Sequence, residues 1–233
     1  MVNKEAYVAL VLRTYRDMSK FMTSILRLPV VSILAALVIF TAVPAQAQEE
    51  EVAGEVLRLQ VAAVAMQDAF PRPLKTGDKI LRGDVISTGR GARIEIRMID
   101  DAVMTLGERT VFVVIDYIVT GEEPNAAVRL LEGAFKVVSG DLTKMADASF
   151  VVETPVATIG IRGTTFWGGS LEGVFEVALL DGKGIYVETK SGRVNLTTVG
   201  QGTAIRSADA APTAPMTWGA GKIELAVTTV AFE

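Results

Sequence analysis

Ala92-Arg93-Ile94-Glu95-Ile96-Arg97-Met98 alternates strictly: Ile94, Ile96 and Met98 share one face of an extended chain, while Arg93, Glu95 and Arg97 share the other. Successive side chains of a strand point to opposite faces, so the stretch reads as a half-buried strand. The same period of two, or a short apolar run, recurs along the chain. Residues 56–61 precede it, and 102–106, 111–118, 128–131, 134–138, 150–152, 175–180, 185–188, 194–198 and 223–230 follow. Turn signals separate these runs: Thr88-Gly89-Arg90-Gly91, Asp100-Asp101, Gly121-Glu122-Glu123-Pro124-Asn125, Ser139-Gly140-Asp141, Asp181-Gly182, Ser191-Gly192 and Gly200-Gln201-Gly202. Short strands about 8 to 12 residues apart predict an all-β domain, either stacked antiparallel and solenoid-like or a sandwich. Helix is expected only as a single turn within 141–147. Residues 208–211, with Pro212 and Pro215 behind them, read as an extended loop. The organisation expected is one β domain over 54–207, then over 208–233 a proline-containing loop and a last strand able to pair with the first.

With 233 residues, half of them hydrophobic, the chain can bury a sizeable core. It contains no histidine and no cysteine. That removes Ser-His-Asp and Cys-His nucleophilic sites, His/Cys zinc sites, iron–sulfur clusters and disulfides. Carboxylates, Lys, Arg, Tyr and hydroxyls remain for chemistry. A net charge of −4 argues against a chain built to bind nucleic acid.

Residues 1–47 have the layout of a secretory signal: a basic stretch (Lys4, Arg13, Arg16, Lys20, Arg27), an apolar run over 30–43, and Pro44-Ala45-Gln46-Ala47. The apolar run is shorter than the roughly 20 residues that span a bilayer, and Ala45-Gln46-Ala47 suits signal peptidase. Cleavage after Ala47 is expected, with translation starting at Met1, Met18 or Met22; a retained membrane anchor is the rival reading. Residues 48–53, with Glu49-Glu50-Glu51, read as a disordered mature terminus. Removing five basic and two acidic residues with the signal leaves 18 basic and 25 acidic, a net charge of −7. Such acidity disfavours anionic membrane surfaces.

Several further stretches share one order. Leu81-Arg82-Gly83-Asp84-Val85-Ile86-Ser87-Thr88-Gly89 comes first and Val128-Arg129-Leu130-Leu131-Glu132-Gly133 later. Thr154-Pro155-Val156-Ala157-Thr158-Ile159-Gly160-Ile161-Arg162-Gly163-Thr164-Thr165-Phe166 follows, and Val199-Gly200-Gln201 closes the series. The series resembles the FecR-type periplasmic domain over roughly residues 78 to 206, most specifically at Thr154 to Phe166. The resemblance implies an extracytoplasmic all-β domain that acts in protein–protein signalling or envelope sensing. The founding signalling members place a cytoplasmic anti-sigma segment before one transmembrane helix. Here at most 29 residues precede the apolar run, so a stand-alone exported FecR-like protein is expected rather than a sigma regulator.

Within the motif, Pro155 fixes its own φ and holds Thr154 extended, so the chain enters as a strand end or corner. Gly160 and Gly163 permit positive φ or a close backbone approach on either side of Arg162. Two roles are open to Arg162: a strut that satisfies turn carbonyls or forks onto Asp84 or Glu153, and a contact to an anion or partner. Thr164 and Thr165 read as strand residues, one hydroxyl bonded to a neighbouring turn. Thr154, Pro155, Gly160, Arg162, Gly163, Thr164 and Phe166, with Gly83 and Asp84, are thus the structural or interaction residues. No catalytic, cofactor or metal residues are assigned. Asp100-Asp101 reads as a tight turn, because adjacent strand residues point to opposite faces and cannot share a catalytic cleft. Trp167 and Trp218 suit core packing or an exposed platform for a sugar ring.

The expected function is an exported, non-enzymatic β module with a protein partner in the bacterial envelope and no nucleic-acid partner. A membrane-anchored sensor of the sigma-regulator type and a cell-wall glycan-binding protein are the alternatives.

Overall fold

The computed structural model describes residues 51–121 and 123–233; the expected signal peptide and its cleavage site lie outside them. Eighteen strands occur in this range: β1 (Val52–Gln60), β2 (Ala63–Gln67), β3 (Phe70–Pro73), β4 (Lys79–Leu81), β5 (Val85–Thr88), β6 (Arg93–Met98), β7 (Val103–Leu106), β8 (Val111–Ile118), β9 (Asn125–Glu132), β10 (Ala134–Val138), β11 (Ser149–Glu153), β12 (Thr158–Ile161), β13 (Thr164–Leu171), β14 (Val174–Gly182), β15 (Ile185–Thr189), β16 (Gly192–Leu196), β17 (Gln201–Ile205) and β18 (Met216–Thr217). A helix, α1 (Ala220–Thr228), follows. The expected helical turn is a 3-10 turn at Asp141–Lys144, and residues 208–211 are loop.

The strands form two nine-stranded sheets in a sandwich. The first runs β4-β1-β6-β7-β10-β13-β14-β17-β18 and the second β3-β2-β5-β8-β9-β11-β12-β15-β16. From β5 onward the chain adds to each sheet in turn, mostly a hairpin at a time, so strand number rises steadily along both. Two strands laid in the opposite sheet return the chain antiparallel to its last neighbour. Between β9 and β11 only β10 intervenes, and that pair alone in the second sheet is parallel.

The decisive stretch behaves as its alternation demands. Ile94, Ile96 and Met98 are buried between the sheets, while Arg97 is exposed. Facing residues of both sheets complete this core, including Phe112, Phe135 and Phe166. The Phe135 and Phe166 rings meet edge to face at 5.5 Å. The terminus expected to be disordered is partly strand, because Val52 and Ala53 belong to β1. Val52 pairs with Leu81, Ala53 is buried, and the Glu51 carboxylate lies 2.8 Å from Arg82.

The expected last strand, 223–230, is instead α1. Its alternating run also satisfies a helical spacing: Ile223 and Ala226 fall on one face, and Val230, just past the helix end, continues it. That face packs on Trp167, Ala178 and Trp218 on the outside of the first sheet, which therefore carries a second apolar cluster. The C-terminus does reach the first strand, through side chains. The Glu233 N–H donates to Gln60 Oε1 at 3.0 Å, and the Arg58 guanidinium lies 4.1 Å from the centre of the Phe232 ring.

Asp100-Asp101 is a tight turn, Asp101 having φ +62°. The sequence did not reveal that Asp100 is buried. Its carboxylate accepts the N–H groups of Ala102 and Leu142 and the Tyr117 hydroxyl, the last at 2.6 Å. Burial, and then the adjacent Asp100 charge, push the Tyr117 phenol far above its ordinary range. The folded chain thus holds this proton more tightly than the unfolded chain. The resulting stability is complete below about pH 10 and is lost as pH rises beyond it. Tyr117→Phe should remove that component of alkaline destabilisation, and should cost about 1 to 3 kcal/mol at neutral pH by depriving a buried carboxylate of a donor. Urea unfolding of both proteins between pH 7 and 11 checks both outcomes.

Candidate functional site

The Thr154–Phe166 stretch is a hairpin turn, a strand, a crossover and a second strand. β11 ends at Glu153, and Thr154 closes the turn twice: its N–H donates to the Ala157 carbonyl at 2.8 Å, while its hydroxyl accepts the Ala157 N–H at 2.9 Å. Pro155 supplies the φ that the second position of such a turn requires. β12 then crosses the second sheet with Ile159 in the core. Gly160 lies beneath Tyr186 of β15, and a side chain there would occupy the space of its ring. Gly163, at φ +65°, turns the chain out of the second sheet and into β13 of the first.

Thr164 holds that crossing. Its hydroxyl donates to the Gly184 carbonyl at 2.8 Å and accepts the Gly184 N–H at 3.0 Å, tying the β12–β13 crossing to the β14–β15 crossing. Its own N–H donates to Ser139 Oγ at 2.7 Å, joining the exit of β10 to the same knot. The expected hydroxyl-to-turn bond is therefore present at Thr164. Phe166 is fully buried.

Gly83 and Asp84 lie elsewhere, in the turn between β4 and β5. Gly83 has φ +88°, and the buried Asp84 carboxylate accepts the Leu81 N–H at 2.8 Å and the Arg72 guanidinium at 2.7 Å. The nominated residues thus do not converge on one site. Arg162 is not the strut that its glycine neighbours suggested. Its side chain is exposed and makes no hydrogen bond or ion pair among the described residues, while Asp84 is taken by Arg72 and Glu153 by Arg129 at 2.6 Å. Only the Arg162 backbone serves the crossover, donating to Gly184 at 3.2 Å.

The hairpin end of the motif borders an open groove of about 390 Å³. Pro155 and Val156 form one wall with Leu130 and Leu131 of β9, and Val174, Phe175 and Ile205 form the other; Glu132 and Arg206 are its charged residues. Leu131 is 48% exposed. Sequence reasoning did not nominate it, although Leu130-Leu131 breaks the alternation of β9 and places one leucine outward. Val174, Phe175 and Arg206 carried no comparable signal.

The tryptophan platform is excluded by burial. Trp167 and Trp218 are 0% and 6% exposed, pack edge to face at 6.3 Å, and are covered by α1; Trp167 Nε1 donates to Thr229 Oγ1 at 2.9 Å. Among the described residues, no three acidic side chains are grouped to hold a metal ion.

Residues 84–184, from the buried Asp84 to the Gly184 knot, match the FecR protein family. This stretch is similar to a FecR domain. Two crystal structures of a proposed anti-sigma factor from Parabacteroides distasonis are similar to it at 17% identity and a TM-score of 0.49, with 60% of this chain aligned. The chain spans 62% of that protein's length. No curated protein matches it.

Within the matched stretch, Thr164→Val should lower stability by about 1 to 3 kcal/mol by stranding the buried Gly184 N–H, and Thr164→Ser should restore most of it. Arg162→Lys should stay within about 0.5 kcal/mol of the parent, as exposed substitutions do. Denaturant titration of the three variants separates a hydroxyl knot from a guanidinium strut.

Proposed function

We propose that this chain is an exported, non-catalytic FecR module that binds another protein in the bacterial envelope, through the groove beside the Thr154–Ala157 turn. The observation that carries the reading is the place of that turn. The most specific part of the family motif borders a solvent-open groove whose lining is more apolar than polar. Pockets that accept a partner's side chains combine such a floor with a few polar groups that fix orientation. Glu132 and Arg206 are placed for that second role. The turn is held by its own hydrogen bonds and by Pro155, so little ordering cost remains to be met on binding.

Export rests on the sequence of residues 1–47, and the mature protein begins at Gln48 in this proposal. Mass spectrometry of the envelope protein tests it: an N-terminus at Gln48 is expected, and a chain still carrying Arg27 would indicate the membrane-anchored alternative.

Partner binding is tested by a photocrosslinking residue placed at Val156 or Leu131 in intact envelopes. A discrete protein adduct is expected from both positions, and none from the same probe at Met66, an exposed residue of β2. Adducts with wall glycan alone, or equal yields from all three positions, would overturn the reading.

A further inference from the structure

The four sheet edges among the described residues are not equivalent. In the first sheet the edge strands are β4 and β18, of three and two residues. Both are too short to pair with much. The second sheet ends in β3 on one side and β16 on the other.

The β3 edge is closed chemically. The Leu74 N–H donates to Ala63 at 2.9 Å, so hydrogen-bonded and non-bonded pairs alternate from there. Pro73 and Pro71 stand opposite Val64 and Met66, at the positions whose nitrogens face away from the sheet. Neither carries an N–H, so that edge offers no outward donor.

The β16 edge is open. The Thr154–Ala157 bond fixes the alternation across the other half of the sheet. Thr158 and Gly160 then bond to Glu188 and Tyr186, which leaves Arg193 and Asn195 with N–H and C=O pointing outward. Both residues are exposed. The Arg193 side chain does not guard the edge, because it lies back on its own sheet, 2.7 Å from Glu188 and 4.1 Å from the centre of the Tyr186 ring. The nearby 208–209 segment bonds only to the turn before β16, at Lys190 and Ser191.

We propose that β16 pairs with β16 of a second copy of this chain, antiparallel about a two-fold axis through Val194, joining the two second sheets into one. This register follows from the edge itself. Arg193 of each copy then faces Asn195 of the other, and each such pair exchanges two hydrogen bonds. An axis through Arg193 would set like charges directly opposite. An axis through Asn195 would require the Thr197 N–H, which already donates to Gln201 Oε1 at 2.9 Å. Only the Val194 axis satisfies every outward group without a charge conflict, and self-complementarity of this kind is what a two-fold contact demands.

The chain contains no cysteine, so one introduced thiol reports only on self-contact. In protein purified from envelopes, Val194→Cys should form an intermolecular disulfide under mild oxidation, since non-bonded antiparallel partners bring their Cβ atoms within bridging range. Met66→Cys, equally single but remote, should not. Sedimentation should give a dimer, and Asn195→Pro should weaken it at least tenfold with an unchanged circular dichroism spectrum, because proline there removes no intramolecular bond. A monomer at every concentration would overturn the proposal, as would a dimer indifferent to Asn195→Pro that yields no Val194→Cys bridge. A monomer that loses a foreign protein partner on Asn195→Pro would also overturn it, by showing that the edge serves another chain.

Discussion

A chain that repeatedly leaves one sheet for the other must carry its backbone across the sandwich, where crossing N–H and C=O groups have no ladder to join. Left unpaired in a buried position, each would cost a substantial part of the net stability of a domain. Here small side chains supply the missing partners. The Thr88 hydroxyl donates to Gly107 at 2.7 Å and accepts the Thr110 N–H at 2.8 Å. The Thr110 hydroxyl bridges both polar groups of Ala134, and Thr164 does the same at Gly184. All three threonines are nearly or fully buried. A hydroxyl serves because it donates and accepts at once, and threonine because its methyl fills the space beside it. Asp84 and Asp100 perform the acceptor half of this work at turns where N–H groups converge.

Glycine is the complement of these latches. At the crossings the chain must turn through positive φ or pass close to another backbone, as at Gly163 and at Gly182, where φ is +97° and a Cβ would meet the backbone of Gly163 and Thr164. Glycine opposite a ring does different work. Gly160 under Tyr186 and Gly168 under Phe135 let a large side chain lie flat across a neighbouring strand, which covers backbone that glycine alone would expose.

Much of this was legible because period-two patterning has one physical source, the opposition of successive side chains. Strands with a buried face, such as β6 and β8, therefore declared themselves. Strands that lacked clean alternation did not: β3 contains two prolines, β12 is interrupted by Gly160, and of β13 only Thr164 and Thr165 read as strand, Gly168 and Gly169 breaking the rest. The helix was missed because Ile223 to Val227 satisfies both periods, and only the apolar outer face at Trp167 and Ala178 decides between them. At the candidate site the Thr154–Ala157 turn was readable from its proline. The rest of the groove was not, because Val174, Phe175 and Arg206 reach it only through the pairing of β14 with β13 and β17.

Arg162 shows why a motif strong enough to name a family need not mark a site. Gly163 is required by the crossing and Gly160 by the Tyr186 ring, while the Arg162 backbone contributes two bonds, its N–H donating to Gly184 and its C=O accepting the Thr164 hydroxyl. Its guanidinium contributes none among the described residues. The motif therefore combines two kinds of constraint in one stretch of sequence. Gly163 and Thr164 secure the point where the chain changes sheets, Gly160 and Phe166 serve packing, and Thr154 and Pro155 close the β11–β12 hairpin that holds the Pro155–Val156 wall of the groove in place. The side chains that the fold leaves exposed here are Leu131 and Arg206 around the groove, and Arg162 at the far end of β12. A change at those exposed positions alters the surface while the threonine latches and the sheet pairing remain, so surface chemistry is separable from folding to that extent.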